Sequence, residues 1–387
     1  MFGLTPKRDD AQIEELLTRR IGQFEGRPNI WPSKEEARKR IKEEKSLRVY
    51  LGIDPTGPDL HLGHIIPLLF LKQLSDVKHR PVLVIGDFTA QIGDPTGKSE
   101  TRKPLSKEDV KKNMETYLEQ VYKVLPKGSF DVEYNSTWLS KMTVGKFLQA
   151  VSNVSALELM TRSMFKERQD KGAFLGVPEF LYPLMQGYDS VAMEIDGEVG
   201  GNDQTFNMLM GRDLERKLLG KEKLVFATKL LVGAGGKKMS KSEGEIIAVS
   251  DEPAEIRRKV LAFDDGMLRE VAELCTEKPS SWIDAHHGTG ETPKDPRAFK
   301  EDLADEFVRM FHGENALGES RKEKEVSGAG QTVTTVIAGI LSSKSEAKSL
   351  LDQGAIEVNG VIVKEWNHEV KSGDKIQVGK GKFLKVK

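Results

Sequence analysis

The sequence predicts an α/β protein: an open, doubly wound parallel sheet, then a helix-rich segment and a small α+β unit at the carboxyl end. Three observations predict it. Apolar runs of strand length alternate with helix-like stretches between Leu47 and Val199, which implies parallel β-α units. The strand signal stops after about Val249, and residues 255–311 are helix-rich and highly charged. A polar linker at 319–331, closing on Ser327-Gly328-Ala329-Gly330, sets off residues 332–387. These shifts divide the chain into 1–249, 250–325 and 331–387.

In chain order, the first 45 or so residues read as helix-like and strongly charged, a solvated face. Residues 47–53 (Leu-Arg-Val-Tyr-Leu-Gly-Ile) read as a buried strand, 65–74 as an apolar helix and 81–85 as a second strand. Apolar residues at Val110, Met114, Leu118, Val121 and Val124 predict one amphipathic helix over 109–125. A short strand is expected at 130–134 and another at 192–199, with a helix carrying Tyr182 to Asp189 between them. A loop at 286–296 interrupts the helices that follow. Residues 332–387 read as two short helices, then strands turned at Asn359-Gly360, Ser372-Gly373-Asp374 and Gly379–Gly381. In a doubly wound sheet ligands bind beyond the carboxyl ends of the strands, so the residues after Ile53 and Ile85 are where a site is expected.

Composition narrows the partners. Of 387 residues 38% are hydrophobic and 31% charged, which is enough apolar material for a packed core. Lys+Arg 59 against Asp+Glu 60 leaves a net charge of -1, so a nucleic-acid partner would be met by a local basic patch. A single cysteine, Cys275, excludes a disulfide framework and a cysteine zinc site, and no protein-bound metal is expected. The amino terminus lacks an apolar signal core and apolar runs fall far short of the roughly 20 residues that span a membrane. A soluble, cytoplasmic protein is expected.

After the first strand, Asp54-Pro55-Thr56-Gly57-Pro58-Asp59-Leu60-His61-Leu62-Gly63-His64 turns directly into a helix. Gly63 admits close approach, and the helix amino terminus offers N–H groups to an anion. His61 and His64 are three apart and share one face of a first turn, where imidazoles can donate to a phosphoryl group as its charge grows. The same pair could also simply cap the helix. Gly93-Asp94-Pro95-Thr96-Gly97-Lys98-Ser99 is not a P-loop, since the first glycine would have to stand at Ile92. It still follows the second strand, where Asp94 could meet an ammonium and Lys98 or Arg102 a phosphate. Lys237, Lys238 and Lys241 follow Gly233-Ala234-Gly235-Gly236, a mobile cationic clamp suited to a triphosphate. Tyr182, Gln186 and Asp189 fall at i, i+4 and i+7, a polar stripe on an otherwise apolar helix that needs partners in the core or in a ligand. Gly200-Gly201-Asn202-Asp203-Gln204 offers close approach, a carboxylate and amides.

His61-Leu62-Gly63-His64 and Lys238-Met239-Ser240-Lys241-Ser242 resemble the paired signatures of class I aminoacyl-tRNA synthetases. With Tyr50–Thr56, Gly93–Lys98, the Tyr182/Gln186/Asp189 helix and Gly200–Gln204, the catalytic half is similar to tyrosyl-tRNA synthetases. The resemblance implies a Rossmann-like catalytic domain that joins tyrosine to tRNA(Tyr) through a tyrosyl-adenylate made from ATP, with Mg²⁺ accompanying the nucleotide. It implies catalytic roles for His61, His64, Lys238 and Lys241, and ATP contacts from these and from Gly52, Asp54, Thr56, Gly201, Asp203 and Ser242. It assigns Asp94, Tyr182 and Gln186 to the tyrosine ammonium, Asp189 and Tyr50 to the phenol, and Gln204 to the neighbourhood of the carboxylate. It also implies a homodimer. Residues 343–360 resemble an S4-type RNA-binding module. The segment 332–387 has nine lysines against six acidic residues, so it is locally +3, and Lys344 and Lys348 are its candidate tRNA contacts. A nucleotidyltransferase using only His-x-Gly-His, or an RNA-binding protein without catalysis, would be expected to lack parts of this set.

Overall fold

The computed structural model describes residues 8–96, 104–232, 246–288, 292–321, 324–341, 343–379 and 382–387. These fall into two compact units, 8–232 with Glu273–Glu277 and 246–272 with 278–387.

The first unit is built on a six-stranded sheet: β1 (Ile30–Trp31), β2 (Arg48–Ile53), β3 (Arg80–Ile85), β4 (Asp131–Tyr134), β5 (Gly197–Gly201) and β6 (Leu224–Thr228), in the order β1-β6-β5-β2-β3-β4. Every pair is parallel except β1 with β6. The order runs outward from β2 in both directions, so the switch point lies between β2 and β5, and their carboxyl ends open a crevice there. The doubly wound expectation is met, with an antiparallel edge added by β1. β2 and β3 are apolar along nearly their whole length because helices cover both faces. Helix α1 (Leu62–Asp76) is apolar without interruption from Ile65 to Leu71 and correspondingly buried there, with Leu62, Ile65, Ile66, Leu68, Leu69, Phe70, Leu71 and Leu74 inside. Helices α2 (Val177–Met193) and α3 (Thr205–Leu219) pack closely: a Cβ on Gly187 would stand 3.1 Å from the Gly211 nitrogen.

Several elements depart from the sequence reading. The first 45 residues include helices Asp10–Leu16 and Lys34–Glu43, but also a short hairpin, Gln23–Phe24 with Arg27–Pro28, and β1. The single helix expected over 109–125 is two, Lys107–Met114 and Tyr117–Tyr122. The break lets Asn113, Tyr117 and Gln120 each bond the turn after β2. The strand expected at 192–199 begins only at Gly197, because α2 runs on to Met193 and ends on Glu194 in the left-handed conformation (φ 49°).

The second unit contains helices Pro253–Leu261, Ser280–His287 and Pro296–His312, so His286 and His287 belong to a helix end rather than to the loop. Its tail has α4 (Val333–Ala338) and α5 (Lys344–Asp352) against a five-stranded sheet of β7 (Lys324–Val326), β8 (Ile356–Val358), β9 (Val361–Ile362), β10 (Lys375–Val378) and β11 (Lys382–Val386). Val333, Ile337, Ala347, Leu351, Ile356, Ile376 and Leu384 form its core. β7 lies in what the sequence reads as linker. It is drawn into order by parallel pairing with β11, far downstream in the chain.

Glu215 on α3 carries a testable consequence. Its side chain is fully buried and, among the described residues, neither carboxylate oxygen has a hydrogen-bond partner. Burial raises its pKa from 4.5 to about 7, against the pull of Lys223 and Lys221. A raised folded-state pKa means that folding favours the protonated form. The penalty is absent below about pH 4.5 and grows until about pH 7. Glu215→Gln is therefore expected to match the parent in stability near pH 4.5 and to exceed it at pH 8, by at most about 3 kcal/mol. Denaturant unfolding at the two pH values measures this, and an equal difference at both would refute it.

Candidate active site

The turn that leaves β2 is held from below. Asn113 Nδ2 donates to the Pro55 carbonyl (3.0 Å), Tyr117 Oη to that of Gly57 (2.5 Å) and Gln120 Nε2 to that of Pro58 (2.9 Å), while Gln120 Oε1 accepts from the Leu60 N–H (2.8 Å). So fixed, the turn delivers His61 to the N-cap of α1. His61 Nδ1 accepts from the Gly63 N–H (3.2 Å), His64 Nδ1 accepts from the His61 N–H (3.2 Å), and the rings sit 4.0 Å apart. Capping and catalysis are thus compatible. Because both Nδ1 atoms accept, a neutral ring at either position carries its proton on Nε2.

Asp54, at the end of β2, joins the two halves of the site. Its Oδ1 accepts from Thr89 Oγ (2.7 Å) and its Oδ2 from Tyr182 Oη (2.9 Å). Gly86, the residue after β3, makes room: a Cβ there would stand 1.9 Å from Asp54 Oδ1. Thr89 Oγ also accepts from Asn135 Nδ2 (2.9 Å), which donates to Asp189 Oδ2 (3.2 Å), and Trp138 Nε1 donates to Asp189 Oδ1 (2.7 Å). Burial pushes the Asp189 carboxyl well above the usual range, and the bonds from Trp138 and Asn135 oppose that shift. The Tyr182 and Tyr50 phenols are also pushed up, first by burial, then by Asp54 and Asp94 for Tyr182 and by Glu198 and Asp189 for Tyr50.

A second chain of bonds runs from Asp94 to Glu198. Asp94 Oδ2 accepts from Gln204 Nε2 (2.7 Å), and Asp94 Oδ1 accepts from Thr96 Oγ (2.7 Å). Asn207 Nδ2 donates to Gln204 Oε1 (2.9 Å) and to Gln186 Oε1 (3.0 Å), and Gln186 Nε2 donates to Glu198 Oε1 (3.0 Å). Arg162 donates to Thr96 Oγ (2.9 Å) and lies 4.6 Å from the Phe206 ring centre. Burial lowers its pKa to about 10.

The structure therefore brings Asp54, Asp94, Tyr182, Gln186, Asp189 and Gln204 into linked hydrogen-bond chains at the carboxyl end of the sheet. Tyr50 joins them from β2, its hydroxyl 3.2 Å from Ser190 Oγ. Gly52 and Thr56 flank Asp54 on β2 and its turn, and Gly201 with Asp203 closes β5. Lys98 and Arg102, and the whole loop with Lys237, Lys238, Lys241 and Ser242, lie outside the described residues. Lys344 and Lys348 sit on α5 of the other unit, with Lys348 Nζ 4.4 Å from the exposed Trp366 ring centre.

Sequence reasoning missed Gly86, Thr89, Asn135, Trp138, Asn207, Glu198 and Arg162. Gly86 and Asn135 directly follow strands, so the rule that pointed to the ends of β2 and β3 also reaches them. Arg162 and Glu198 carry no local signal.

Comparison with known proteins agrees with this geometry. A family model described as tRNA synthetases class I (W and Y) matches residues 42–323, and a model of the S4 domain matches 334–376. Tyrosine–tRNA ligase 2 of Vibrio parahaemolyticus is 38% identical over 371 residues, covering 91% of this chain and 94% of its own. Tyrosine–tRNA ligase of Carboxydothermus hydrogenoformans is 38% identical over 383 residues, covering 91% and 92%. Among solved structures, a truncated mitochondrial tyrosyl-tRNA synthetase of Coccidioides posadasii shares the fold, with a TM-score of 0.66 at 21% identity, covering 81% of this chain and 91% of that one.

Proposed function

The chain belongs to the class I tRNA synthetases of the tryptophan and tyrosine group and, within it, to the tyrosine–tRNA ligases, and we propose that the cluster at the carboxyl ends of β2 and β5 is where it activates its amino acid. The observation that carries this reading is Asp189. It is a buried carboxylate, oriented by Trp138 and Asn135, on the same helix face as Tyr182 and Gln186. A phenol hydroxyl can donate to such a carboxylate, as an indole N–H also can, so the choice of tyrosine rests on the likeness to tyrosine–tRNA ligases.

In this reading Asp189 accepts the phenol hydroxyl, with Tyr50 beneath it. Asp94, Tyr182 and Gln186 receive the ammonium, and Gln204 flanks the carboxylate. ATP lies over Gly52, Asp54, Thr56, Gly201 and Asp203, with His61 and His64 at its phosphates and Lys238, Lys241 and Ser242 assigned to it as well. A tyrosine carboxylate oxygen bonds to the α-phosphorus as the bond to pyrophosphate breaks. Positioning and preorganised donors supply the acceleration, with no covalent enzyme intermediate. The hydroxyl of the tRNA's terminal adenosine then attacks the tyrosyl carbonyl and AMP leaves. Magnesium is proposed to arrive on the ATP phosphates, neutralising their charge. Among the described residues no three His, Cys, Asp or Glu side chains converge as a metal site.

Along the chain, we assign catalysis to 1–249, the approach to the anticodon to 250–325, and RNA binding to 331–387 through Lys344 and Lys348. We place the enzyme in the cytoplasm. Among the described residues no helix is long and apolar enough to cross a membrane. A homodimer is supported by the exposed apolar side chains Val144, Leu148, Leu157, Phe174 and Val177, of which Val144 and Leu148 lie one turn apart on a helix. Sedimentation at twice the monomer mass is the check. ATP–pyrophosphate exchange with each amino acid in turn tests the site: exchange should depend on tyrosine. Exchange with tryptophan instead, or with none, would overturn the reading.

A further inference from the structure

Behind Gln186, between β5 and the residue before β6, lies a buried ion pair that the steps above do not use. Glu198, on β5, is 1% exposed, and Lys223, just before β6, is 0% exposed. The Lys223 ammonium pairs with Glu198 Oε2 and donates to Ser190 Oγ (2.8 Å). It reaches that place past a glycine: a Cβ on Gly211 would stand 2.6 Å from Lys223 Nζ and 2.7 Å from Ser190 Oγ. The other oxygen, Glu198 Oε1, accepts from Gln186 Nε2 (3.0 Å), and Gln186 Oε1 in turn accepts from Asn207 Nδ2 (3.0 Å).

The two ends of a side-chain amide are nearly the same size, so an unrestrained glutamine can turn over and exchange acceptor for donors. Turned over, Gln186 would set its oxygen against the Glu198 carboxylate and its NH₂ against that of Asn207. Both are repulsive, so the bonds on the page select one orientation. A carbonyl oxygen has two lone pairs, and Asn207 uses one. A buried ion pair adds little net stability over apolar residues of the same volume, so stability alone does not account for this one.

We propose that Lys223 and Glu198 are positioning residues for tyrosine: Glu198 locks the Gln186 amide with its oxygen presented to the substrate ammonium, and Lys223 anchors Glu198. This rests on the reading that Gln186 receives that ammonium. The probes are L-tyrosine and its des-amino analogue, 3-(4-hydroxyphenyl)propionate, titrated into the full-length protein. Three variants are compared: Glu198→Gln, the charge-free pair Glu198→Leu/Lys223→Met, which leaves no buried ion unpaired, and Gln186→Ala. Glu198→Gln and the charge-free pair should each weaken tyrosine by roughly ten- to hundredfold, the worth of one hydrogen bond to a charged group, and leave the analogue within about twofold. Added to Gln186→Ala, Glu198→Gln should change little further. Equal losses for both ligands would mark a merely structural role and overturn the proposal. So would a tyrosine affinity unchanged in Glu198→Gln while Gln186→Ala weakens it. If Gln186→Ala leaves tyrosine binding unchanged, the underlying assignment of Gln186 falls, and the proposal with it.

Discussion

An Asp189→Asn enzyme is expected to require more tyrosine and to lose much of its preference for tyrosine over phenylalanine, while kcat at saturating tyrosine stays within a few fold. The carboxylate is 4% exposed and each oxygen already accepts one bond, from Trp138 Nε1 at 2.7 Å and from Asn135 Nδ2 at 3.2 Å. Lone pairs remain on both oxygens, and in the proposed site the substrate hydroxyl is their natural donor. Phenylalanine would bury the same carboxylate with no donor to replace water. Tyrosyl enzymes are the standing example of a site that rejects an analogue in this way without editing. Asparagine keeps the shape but gives up the charge, and its NH₂ must face one of the two existing donors. The loss of a hydrogen bond to a charged group corresponds to roughly ten- to hundredfold in kcat/KM for tyrosine. Phenylalanine loses nothing comparable, so the ratio of the two should shrink by about the same factor. Exchange assays with both amino acids measure it, and an unaltered ratio would remove Asp189 from its role.

Asp189 was legible in the sequence because helical spacing alone aligned it with Tyr182 and Gln186 on an otherwise apolar helix. The Asp54–His64 turn was legible for a related reason: proline, glycine and histidine there act locally, immediately after a strand buried on both faces. Where the outcome depends on distant partners, the pattern fails. The spacing of Val110, Leu118 and Val121 runs on without interruption, yet the helix breaks between Met114 and Tyr117, and side chains on both pieces bond the carbonyls of residues 55–58. Gly197–Gly201 has little strand propensity of its own, and β2 and β6 impose extension on it from either side. Lys223 follows a run of charged residues at 212–222 with no local sign of burial, but Glu198, Ser190 and the space left by Gly211 draw it inside. The residues to which the proposed chemistry is assigned were visible. Those that hold them in place were mostly not, because a supporting residue is defined by its neighbour in space.

On the proposed reading His61 serves both purposes, and substitutions can separate them. His61 occupies the N-cap of α1 with extended backbone (φ -142°, ψ 175°), its Nδ1 accepting from the Gly63 N–H. Asparagine is among the best N-cap residues, and its Oδ1 can take over that bond. His61→Asn should therefore fold with an unfolding midpoint close to the parent's, whereas His61→Ala should also lose about 1 kcal/mol of stability. Neither variant retains a donor as far from the backbone as Nε2. If that N–H meets charge that develops as the α-phosphorus is attacked, its loss appears in the rate of adenylate formation rather than in ATP binding. The expected fall is roughly 10²–10³-fold, typical for removal of one preorganised donor from a transition state, with KM for ATP changed only a few fold. Rapid-quench measurement of adenylate formation, paired with thermal unfolding, separates the two contributions. A His61→Asn rate within about threefold of the parent, or a loss confined to KM for ATP, would leave the residue as a helix cap alone.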